Sequence, residues 1–199
     1  MYTYLALGDS YTIGEQVPSE QNFPHQTVEL LREQGLEVAA PKIIAVTGWT
    51  TDELATAIER ENVTGVFSFV TLLIGVNNQY RGRSVENFRK EFTELLEDAI
   101  DFAQGKPEHV FVLSIPDWGV TPFAEGRDRP KIAEEIDAYN AAKEEITKEF
   151  KCHWLPITES TRMHGVDENY LVEDKLHYSG KEYALWSAPL ANMIKVVLL

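Results

Sequence analysis

The sequence predicts an α/β fold in which a parallel sheet of about five strands lies between two layers of helices. Two observations indicate this fold. Short apolar runs of strand length alternate with longer segments whose apolar residues recur at helical spacing, and two of the short runs are almost continuously apolar. Such runs are typical of strands that are covered on both faces. Because strands that alternate with helices pair in parallel through right-handed crossovers, we expect a three-layer α/β/α sandwich.

Five runs have the length and apolar content of strands. In chain order they are Tyr2–Leu7, Lys42–Val46, Val66–Ile74, Val110–Ile115 and Cys152–Leu155. The third and fourth are the almost continuously apolar runs. No internal repeat or linker separates them, so the 199 residues are expected to form one domain over residues 1–199.

Three long helices follow from apolar spacing and from their end signals. The segment Ser84–Ala103 places its apolar residues on one face, and Gly105 is expected to end the helix. The segment Ile132–Phe150 repeats that spacing and is entered through Pro130. A last helix is expected from about Ser179 toward the C-terminus.

Two Ser/Thr-x-x-Glu capping boxes predict where helices begin. They are Thr50-Thr51-Asp52-Glu53 and Ser179-Gly180-Lys181-Glu182, and they place helix starts just after Gly48 and just after His177. Two further segments, Pro116–Arg129 and Ile157–Asp174, look too long and irregular to be simple connections. Each follows a predicted strand, so we expect both to form pocket walls at the carboxyl edge of the sheet.

Composition excludes several classes of partner. The formal net charge of -14 disfavours nucleic acid and anionic membrane surfaces, which select basic proteins. The single cysteine, Cys152, excludes an internal disulfide and a multi-thiolate zinc site. The chain shows neither a signal-peptide pattern nor an apolar run of membrane-spanning length, which predicts a cytoplasmic protein without a transmembrane segment. Oligomeric state is left open.

A possible nucleophile and its partners lie at opposite ends of the chain. The run Leu7-Gly8-Asp9-Ser10 closes the first predicted strand, where open α/β sheets place their chemistry, and Asp174-Lys175-Leu176-His177 lies far downstream. A serine hydroxyl is a poor nucleophile unless a base removes its proton. His177 can act as that base, and Asp174 can hold the second ring nitrogen. The sequence therefore predicts a Ser10–His177–Asp174 triad.

An attacked ester also needs hydrogen-bond donors for its oxyanion. Gly48 follows the second predicted strand, and the lack of a Cβ lets its backbone N–H approach closely. Asn77 lies where the third strand ends and offers a side-chain amide, while the Ser10 N–H supplies a third donor. All of these groups fall at the same edge of the predicted sheet.

With these residues in place, the chain resembles the SGNH, or GDSL-type, hydrolase family. The matching blocks are Gly8-Asp9-Ser10-Tyr11-Thr12-Ile13-Gly14, Val46-Thr47-Gly48-Trp49, Gly75-Val76-Asn77-Asn78 and Asp174-Lys175-Leu176-His177. They come in the family order and span nearly the whole chain. The resemblance implies a flavodoxin-like sandwich and ester hydrolysis by Ser10, Asp174 and His177, with Ser10, Gly48 and Asn77 as oxyanion donors. Asn78 departs from the pattern, because many members carry aspartate there.

Substrate contacts are expected from Tyr11, next to the nucleophile, and from Trp118 and Phe123 on the first irregular segment. The alternative for the two loop aromatics is that they merely anchor the loop. The remaining histidines, which share no ligand spacing, predict no metal, and we expect no cofactor. They are His25, His109, His153 and His164.

The expected substrate is a small-molecule carboxylic ester cleaved through an acyl-enzyme. The resemblance leaves lysophospholipase-like, thioesterase and carbohydrate O-acetylesterase activities open. A different class of function is a noncatalytic carbohydrate- or nucleotide-binding module on the same fold. The sequence holds no Gly-x-Gly-x-x-Gly motif and no P-loop, and every catalytic position is filled, so we favour the esterase.

Overall fold

The computed structural model describes the whole chain, Met1–Leu199, and contains one sheet of five parallel strands. The strands are β1 Tyr4–Gly8, β2 Lys42–Ala45, β3 Phe69–Leu73, β4 Val110–Leu113 and β5 His153–Leu155. Their order across the sheet is β2-β1-β3-β4-β5. Leu5 of β1 lies opposite Lys42 on one side and Val70 on the other. The predicted parallel sheet is confirmed.

Helices cover the sheet in two groups. They are α1 Ser10–Ile13, α2 Phe23–Glu33, α3 Thr51–Glu61, α4 Val76–Tyr80, α5 Val85–Phe102, α6 Arg129–Glu149, α7 Thr158–His164 and α8 Gly180–Leu198. Helix α2 packs on α8, while α5 packs on both α3 and α6. Right-handed crossovers in this strand order place the two groups on opposite faces. This arrangement is the predicted flavodoxin-like three-layer sandwich.

The strand order also determines where a site can form. The chain passes from β1 outward to β2 and then crosses to β3 on the other side of β1. The connections that leave the carboxyl ends of β1 and β3 therefore diverge, and this switch point is where open α/β sheets bind ligands. Ser10 follows β1 directly, and Asn77 follows β3 within a few residues.

The core is one cluster of 46 buried hydrophobic residues. It includes strand residues such as Leu7 and Leu72, which are fully buried, and helix residues such as Phe92 and Trp186. Burial of this apolar surface is the main stabilising contribution in a sandwich of this kind. None of the helices combines the length and the apolar composition that crossing a membrane requires.

Two sequence-based expectations about local structure are corrected. The segment Ile157–Asp174 is not irregular throughout, because it contains α7. That helix starts where Ser114 Oγ accepts hydrogen bonds from the backbone N–H groups of Ile157 (2.8 Å) and Thr158 (3.1 Å). Ser114, directly after β4, thus accepts from N–H groups at the start of α7 that a capping side chain next to the helix would otherwise bind. The residues near Ile157 therefore give no sequence signal for the start of α7.

The second correction concerns the capping boxes. Thr50 forms its box, with its backbone N–H donating to the Glu53 carboxylate at 2.9 Å. Ser179 does occupy the N-cap position of α8, but its hydroxyl donates to the Asn169 carbonyl instead. The buried Glu182 carboxylate accepts from three other side chains, Ser160, His164 and Trp186, at 2.6–2.8 Å. Two tertiary partners, Ser160 and His164, together with Trp186 one turn further along α8, have replaced the reciprocal bonds of the capping box.

Candidate active site

The structure brings Ser10, His177 and Asp174 into one hydrogen-bonded chain. Ser10 Oγ lies 2.9 Å from His177 Nε2, and His177 Nδ1 lies 2.6 Å from Asp174 Oδ2. Because a carboxylate can only accept, Nδ1 carries the ring proton and Nε2 accepts from the Ser10 hydroxyl. Ser10 and His177 are both buried. The geometry is that of a serine nucleophile next to an oriented base.

A tight loop before α8 presents Asp174 and His177 together. Leu171 and Tyr178 close the loop through an antiparallel bridge. Lys175 adopts the left-handed region (φ 59°), which reverses the chain between the two functional residues. Both side chains therefore project from one turn and form a hydrogen bond with each other.

Asp174 is held by the backbone of its own loop. Its Oδ1 accepts from the N–H groups of Leu176 and His177, each at 2.9 Å. Partial burial raises the pKa of the Asp174 carboxyl, but the bonds from the His177 ring and from the two backbone N–H groups outweigh it, so the pKa lies below its usual value. The charged form, which orients an imidazole best, is thus favoured.

A cavity of about 170 Å³ opens beside the serine. Six of its lining residues were predicted site residues: Ser10, Asn77, His177, Tyr11, Trp118 and Phe123. No Asp, Glu, Lys or Arg side chain lines it. Ser10, His177 and Asn77 therefore face a cavity whose other lining residues are apolar or aromatic.

Aromatic side chains form one wall of this cavity. Trp118 is buried, and its Nε1 donates to Gln79 Oε1 at 2.7 Å. Tyr80 and Phe123 lie at the rim, 47% and 40% exposed, with their ring centroids 5.2 and 6.1 Å from that of Trp118. Trp118 thus lines the cavity as well as anchoring its loop, and Phe123 also lines the cavity. Tyr11 is buried on the other side, its ring 5.2 Å from the His177 ring.

Two of the predicted oxyanion donors, Asn77 and Gly48, differ in their position relative to the cavity, because only Asn77 lines it. Asn77 lines the cavity, and its amide Nδ2 donates one hydrogen bond to the Trp49 carbonyl at 3.0 Å, which leaves the second amide N–H for a ligand. Gly48 is not among the lining residues. It adopts φ 85°, a conformation that favours glycine, and its carbonyl accepts from Arg81 Nη2 at 2.6 Å. Its role stays a prediction.

The structure explains why asparagine suits position 78. Asn78 is fully buried, and its Oδ1 accepts from the Thr51 backbone N–H at 3.1 Å. The Thr51 hydroxyl donates its proton to Glu91, so toward Asn78 its oxygen can only accept. The Asn78 Nδ2 supplies the donor, at 2.6 Å from Thr51 Oγ1. An aspartate at this position could not supply that donor. Asparagine at position 78 thus fits the hydrogen bonds of Thr51 and Glu91, and Asn78 contacts neither Ser10 nor His177.

The sequence analysis did not predict three of the lining residues: Val76, Tyr80 and Leu176. Each lies within three positions of Asn77 or His177, so proximity to those residues was the available signal. Apolar residues beside a polar motif, however, are as common in cores as in pockets. No group of three or more His, Cys, Asp or Glu side chains is arranged to hold a metal ion.

The chain belongs to the GDSL-like lipase/acylhydrolase family, whose sequence model matches residues 6–185. The match includes all four blocks that carry the predicted site residues. The fold and family are therefore those of hydrolases that act on esters. No curated protein sequence shows significant similarity to the chain.

Solved structures with the same fold cover almost the whole chain. A lipase/acylhydrolase from Enterococcus faecalis is 19% identical, with a TM-score of 0.75 over 98% of this chain and 96% of its own. A psychrotrophic esterase from Pseudoalteromonas sp., inhibited by monoethylphosphonate, is 15% identical (TM-score 0.71; 100% and 99%). An acetylxylan esterase from Geobacillus stearothermophilus is also 15% identical (TM-score 0.73; 97% and 94%). At these identities the likeness shows the fold alone.

Proposed function

We propose that this protein is a serine hydrolase that cleaves carboxylic esters through an acyl-enzyme, without a metal or cofactor. The observation that carries the proposal is the hydrogen-bonded chain from Ser10 through His177 to Asp174 at an apolar cavity. The proposal assigns the activity to residues 1–199 as one domain, in keeping with the single core cluster.

Each residue has a defined role in acylation. His177 Nε2 takes the Ser10 hydroxyl proton as Oγ attacks the ester carbonyl carbon, and Asp174 stabilises the imidazolium that results. The negative oxygen of the tetrahedral intermediate is stabilised by the free amide N–H of Asn77 and by the backbone N–H groups of Ser10 and Gly48. His177 then returns the proton to the departing alkoxide, and the acyl group stays on Ser10.

Deacylation repeats these steps with water as the nucleophile. His177 accepts a proton from the water as it attacks the acyl carbon, and the same donors stabilise the second oxyanion. Collapse of that intermediate releases the carboxylic acid, and the proton returns from His177 to Ser10 Oγ. The enzyme is then restored with the same hydrogen-bonded chain.

The cavity favours a short, uncharged acyl group. An apolar cavity of about 150 Å³ is known to hold benzene, so the observed 170 Å³ suits an acyl chain of up to about six carbons. The absence of charged lining side chains disfavours acids and phosphate esters at this position. Of the open alternatives, short-chain esters, including O-acetyl esters, fit better than lysophospholipids. The name of the acetylxylan esterase among the similar structures makes an acetylated sugar a natural substrate to test.

A panel of chromogenic 4-nitrophenyl esters with acyl chains of two to twelve carbons tests the activity and its size limit. We expect kcat/KM to be highest at six carbons or fewer and to fall for longer chains. Hydrolysis that increases steadily with chain length would contradict the size limit but leave the esterase intact. A blank across the panel and with an acetylated sugar would favour the noncatalytic binding module.

Covalent labelling tests the nucleophile directly. A sulfonyl fluoride or a neutral organophosphorus ester should add one equivalent of mass, located on Ser10, and should abolish turnover. The Ser10→Ala protein should take up no label, and chelators should leave activity unchanged. Labelling at another residue, or loss of activity with a chelator, would contradict the mechanism.

A further inference from the structure

A lysine lies fully buried behind the candidate active site. Lys143 of α6 is 0% exposed, and its Nζ donates to the Ile74 carbonyl at 2.9 Å. The ammonium also lies 5.4 Å from the ring centroid of Phe92, within range of a cation–π interaction. Lysine is almost never fully buried unless something compensates its charge. No acidic side chain lies within ion-pair distance of Lys143.

The compensating charge lies beside the nucleophile. Asp9 is also fully buried, its Oδ1 accepts from the Tyr11 backbone N–H at 3.1 Å, and its Oδ2 accepts from no donor. Burial raises the pKa of the Asp9 carboxyl, and the positive charge of Lys143 opposes that rise. Burial likewise lowers the pKa of the Lys143 ammonium, and the charge of Asp9 opposes it. Burial outweighs this mutual attraction, so the pKa of Asp9 is raised to about 7 and the pKa of Lys143 is lowered to about 7.

The Ile74 carbonyl lies in the turn between β3 and α4. It directly follows β3, and the next residue, Gly75, turns the chain at φ 126°. A Cβ at that position would come within 2.7 Å of the Phe88 ring, so the turn is packed tightly against α5. Helix α4, with Asn77 in its first turn, begins immediately afterwards. The Ile74 carbonyl thus belongs to the turn that leads from β3 into α4 and Asn77.

We propose that Lys143 is a positioning residue for the oxyanion site: its ammonium fixes the Ile74–Gly75 turn and so directs the Asn77 amide toward the carbonyl attacked by Ser10. The inference rests on the proposed function, which makes Asn77 a donor to the oxyanion. The Asp9 carboxyl opposes the loss of the Lys143 proton that burial favours, and it occupies the segment that carries Ser10. Lys143 of α6 thus contacts the oxyanion segment directly, through the Ile74 carbonyl, and interacts with the nucleophile segment only at a distance, through the charge of Asp9.

The test compares Lys143→Met, which keeps the length and apolar stem of the side chain, with Lys148→Met. Lys148 is an exposed residue of the same helix, paired with Glu144. We expect Lys143→Met to lower kcat about 10- to 100-fold, as for a catalytic group displaced by about 1 Å, with KM changed less than about threefold. Lys148→Met should behave as the wild type. Unchanged kcat in Lys143→Met, or a change confined to KM, would overturn the proposal.

A double-mutant cycle separates positioning from general stability. Because Lys143 acts through Asn77, Lys143→Met should lower kcat less than about threefold in an Asn77→Ala background. An equal loss in both backgrounds would mean that Lys143 acts structurally. If Lys143→Met does not fold, Asp9→Asn with Lys143→Met removes the unpaired buried charge, and its kcat is compared with that of Asp9→Asn alone. Equal kcat values, or failure of the double variant to fold, would overturn the positioning role.

Amide hydrogen exchange makes the test independent of catalysis. Exchange in the segment from Gly75 to Tyr80 should be faster in Lys143→Met than in the wild type, and unchanged in Lys148→Met. Unchanged exchange in Lys143→Met would overturn the proposal whether or not the protein hydrolyses esters. Loss of the proposed function would instead appear as a wild-type protein that neither turns over esters nor labels at Ser10.

Discussion

The two sides of the cavity differ in how completely they are assembled. On the nucleophile side, the reacting atoms already lie at hydrogen-bond distance, 2.9 Å between Ser10 and His177 and 2.6 Å between His177 and Asp174. On the oxyanion side, the Asn77 amide gives one hydrogen bond to the Trp49 carbonyl, and Gly48 does not line the cavity. On the nucleophile side, Asp174 and His177 come from one short loop and only Ser10 reaches them from the end of β1, whereas on the oxyanion side Asn77 and Gly48 are held by contacts between separate loops. Substitutions should therefore affect the two sides to different extents.

The largest effect is expected on the nucleophile side. Ser10→Ala and His177→Ala should each remove nearly all turnover, and the double variant should be hardly worse, because residues that act as one unit are not additive. Comparable serine hydrolase variants lose about 10⁶-fold in kcat. Ser19→Ala, which changes an exposed serine in a surface turn, serves as the control and should keep full activity. Additive losses in the double variant would mean that the two groups do not work together.

Asp174→Asn should have the next largest effect, since the amide can favour the wrong imidazole tautomer. We expect kcat to fall about 10²- to 10⁴-fold, with asparagine as harmful as alanine or more so. Asp167→Asn is the matched control, because Asp167 caps a turn in the same region through the Asn169 N–H and does not touch His177. If both Asp174 variants lose stability but keep most of their activity when folded, Asp174 is a structural partner of His177 and the triad is wrong.

The same variant predicts a pH dependence of stability. The pKa of Asp174 is lowered in the folded protein, so its contribution to stability is complete above the ordinary carboxyl pKa and is lost as the pH falls through the folded value. The thermal midpoints of the wild type and Asp174→Asn should thus differ at neutral pH and converge below about pH 3.9. Calorimetry at several pH values measures this. A gap that widens in acid would contradict the assigned role of the carboxylate.

The same contrast shows how far the sequence could predict the site. The hydrogen-bonded arrangement of Ser10, His177 and Asp174 was predictable because Asp174 and His177 are three residues apart in one turn, and because Ser10 directly follows a strand. Other features depend on residues far away in the chain. Nothing near Glu182 indicates that Ser160 and His164, on α7, would bind its carboxylate in place of the predicted capping box. Local periodicity likewise gives no sign that Lys143, on a charged helix, would reach the end of β3.

On the oxyanion side, Asn77→Ala should lower kcat by about 10²- to 10³-fold, roughly 3–4 kcal/mol, with little change in KM. The reason is that its donor acts mainly on the transition state. Asn87→Ala, which removes an exposed amide bonded to Glu91 on α5, controls for loss of an asparagine and should leave kcat unchanged. Normal kcat with a raised KM would make Asn77 a ground-state binding residue.

The smallest effect on kcat is expected from the Gly48 loop, and it tests whether this loop belongs to the oxyanion side. Arg81 Nη2 holds the Gly48 carbonyl at 2.6 Å, and its Nη1 contacts Glu53 at 3.2 Å, so the guanidinium ties the glycine loop to the start of α3. A single hydrogen bond contributes about 1 kcal/mol net, which corresponds to about fivefold in rate.

If the Gly48 N–H is an oxyanion donor, Arg81→Met should lower kcat by about that factor without raising KM. The effect should shrink in an Asn77→Ala background if the two donors share one oxyanion. Arg89→Met removes an exposed arginine that pairs with Glu145, away from the cavity, and should change neither constant. Wild-type kinetics in Arg81→Met would mean that the position of the Gly48 loop does not limit catalysis. The oxyanion would then rest on Asn77 and the Ser10 N–H.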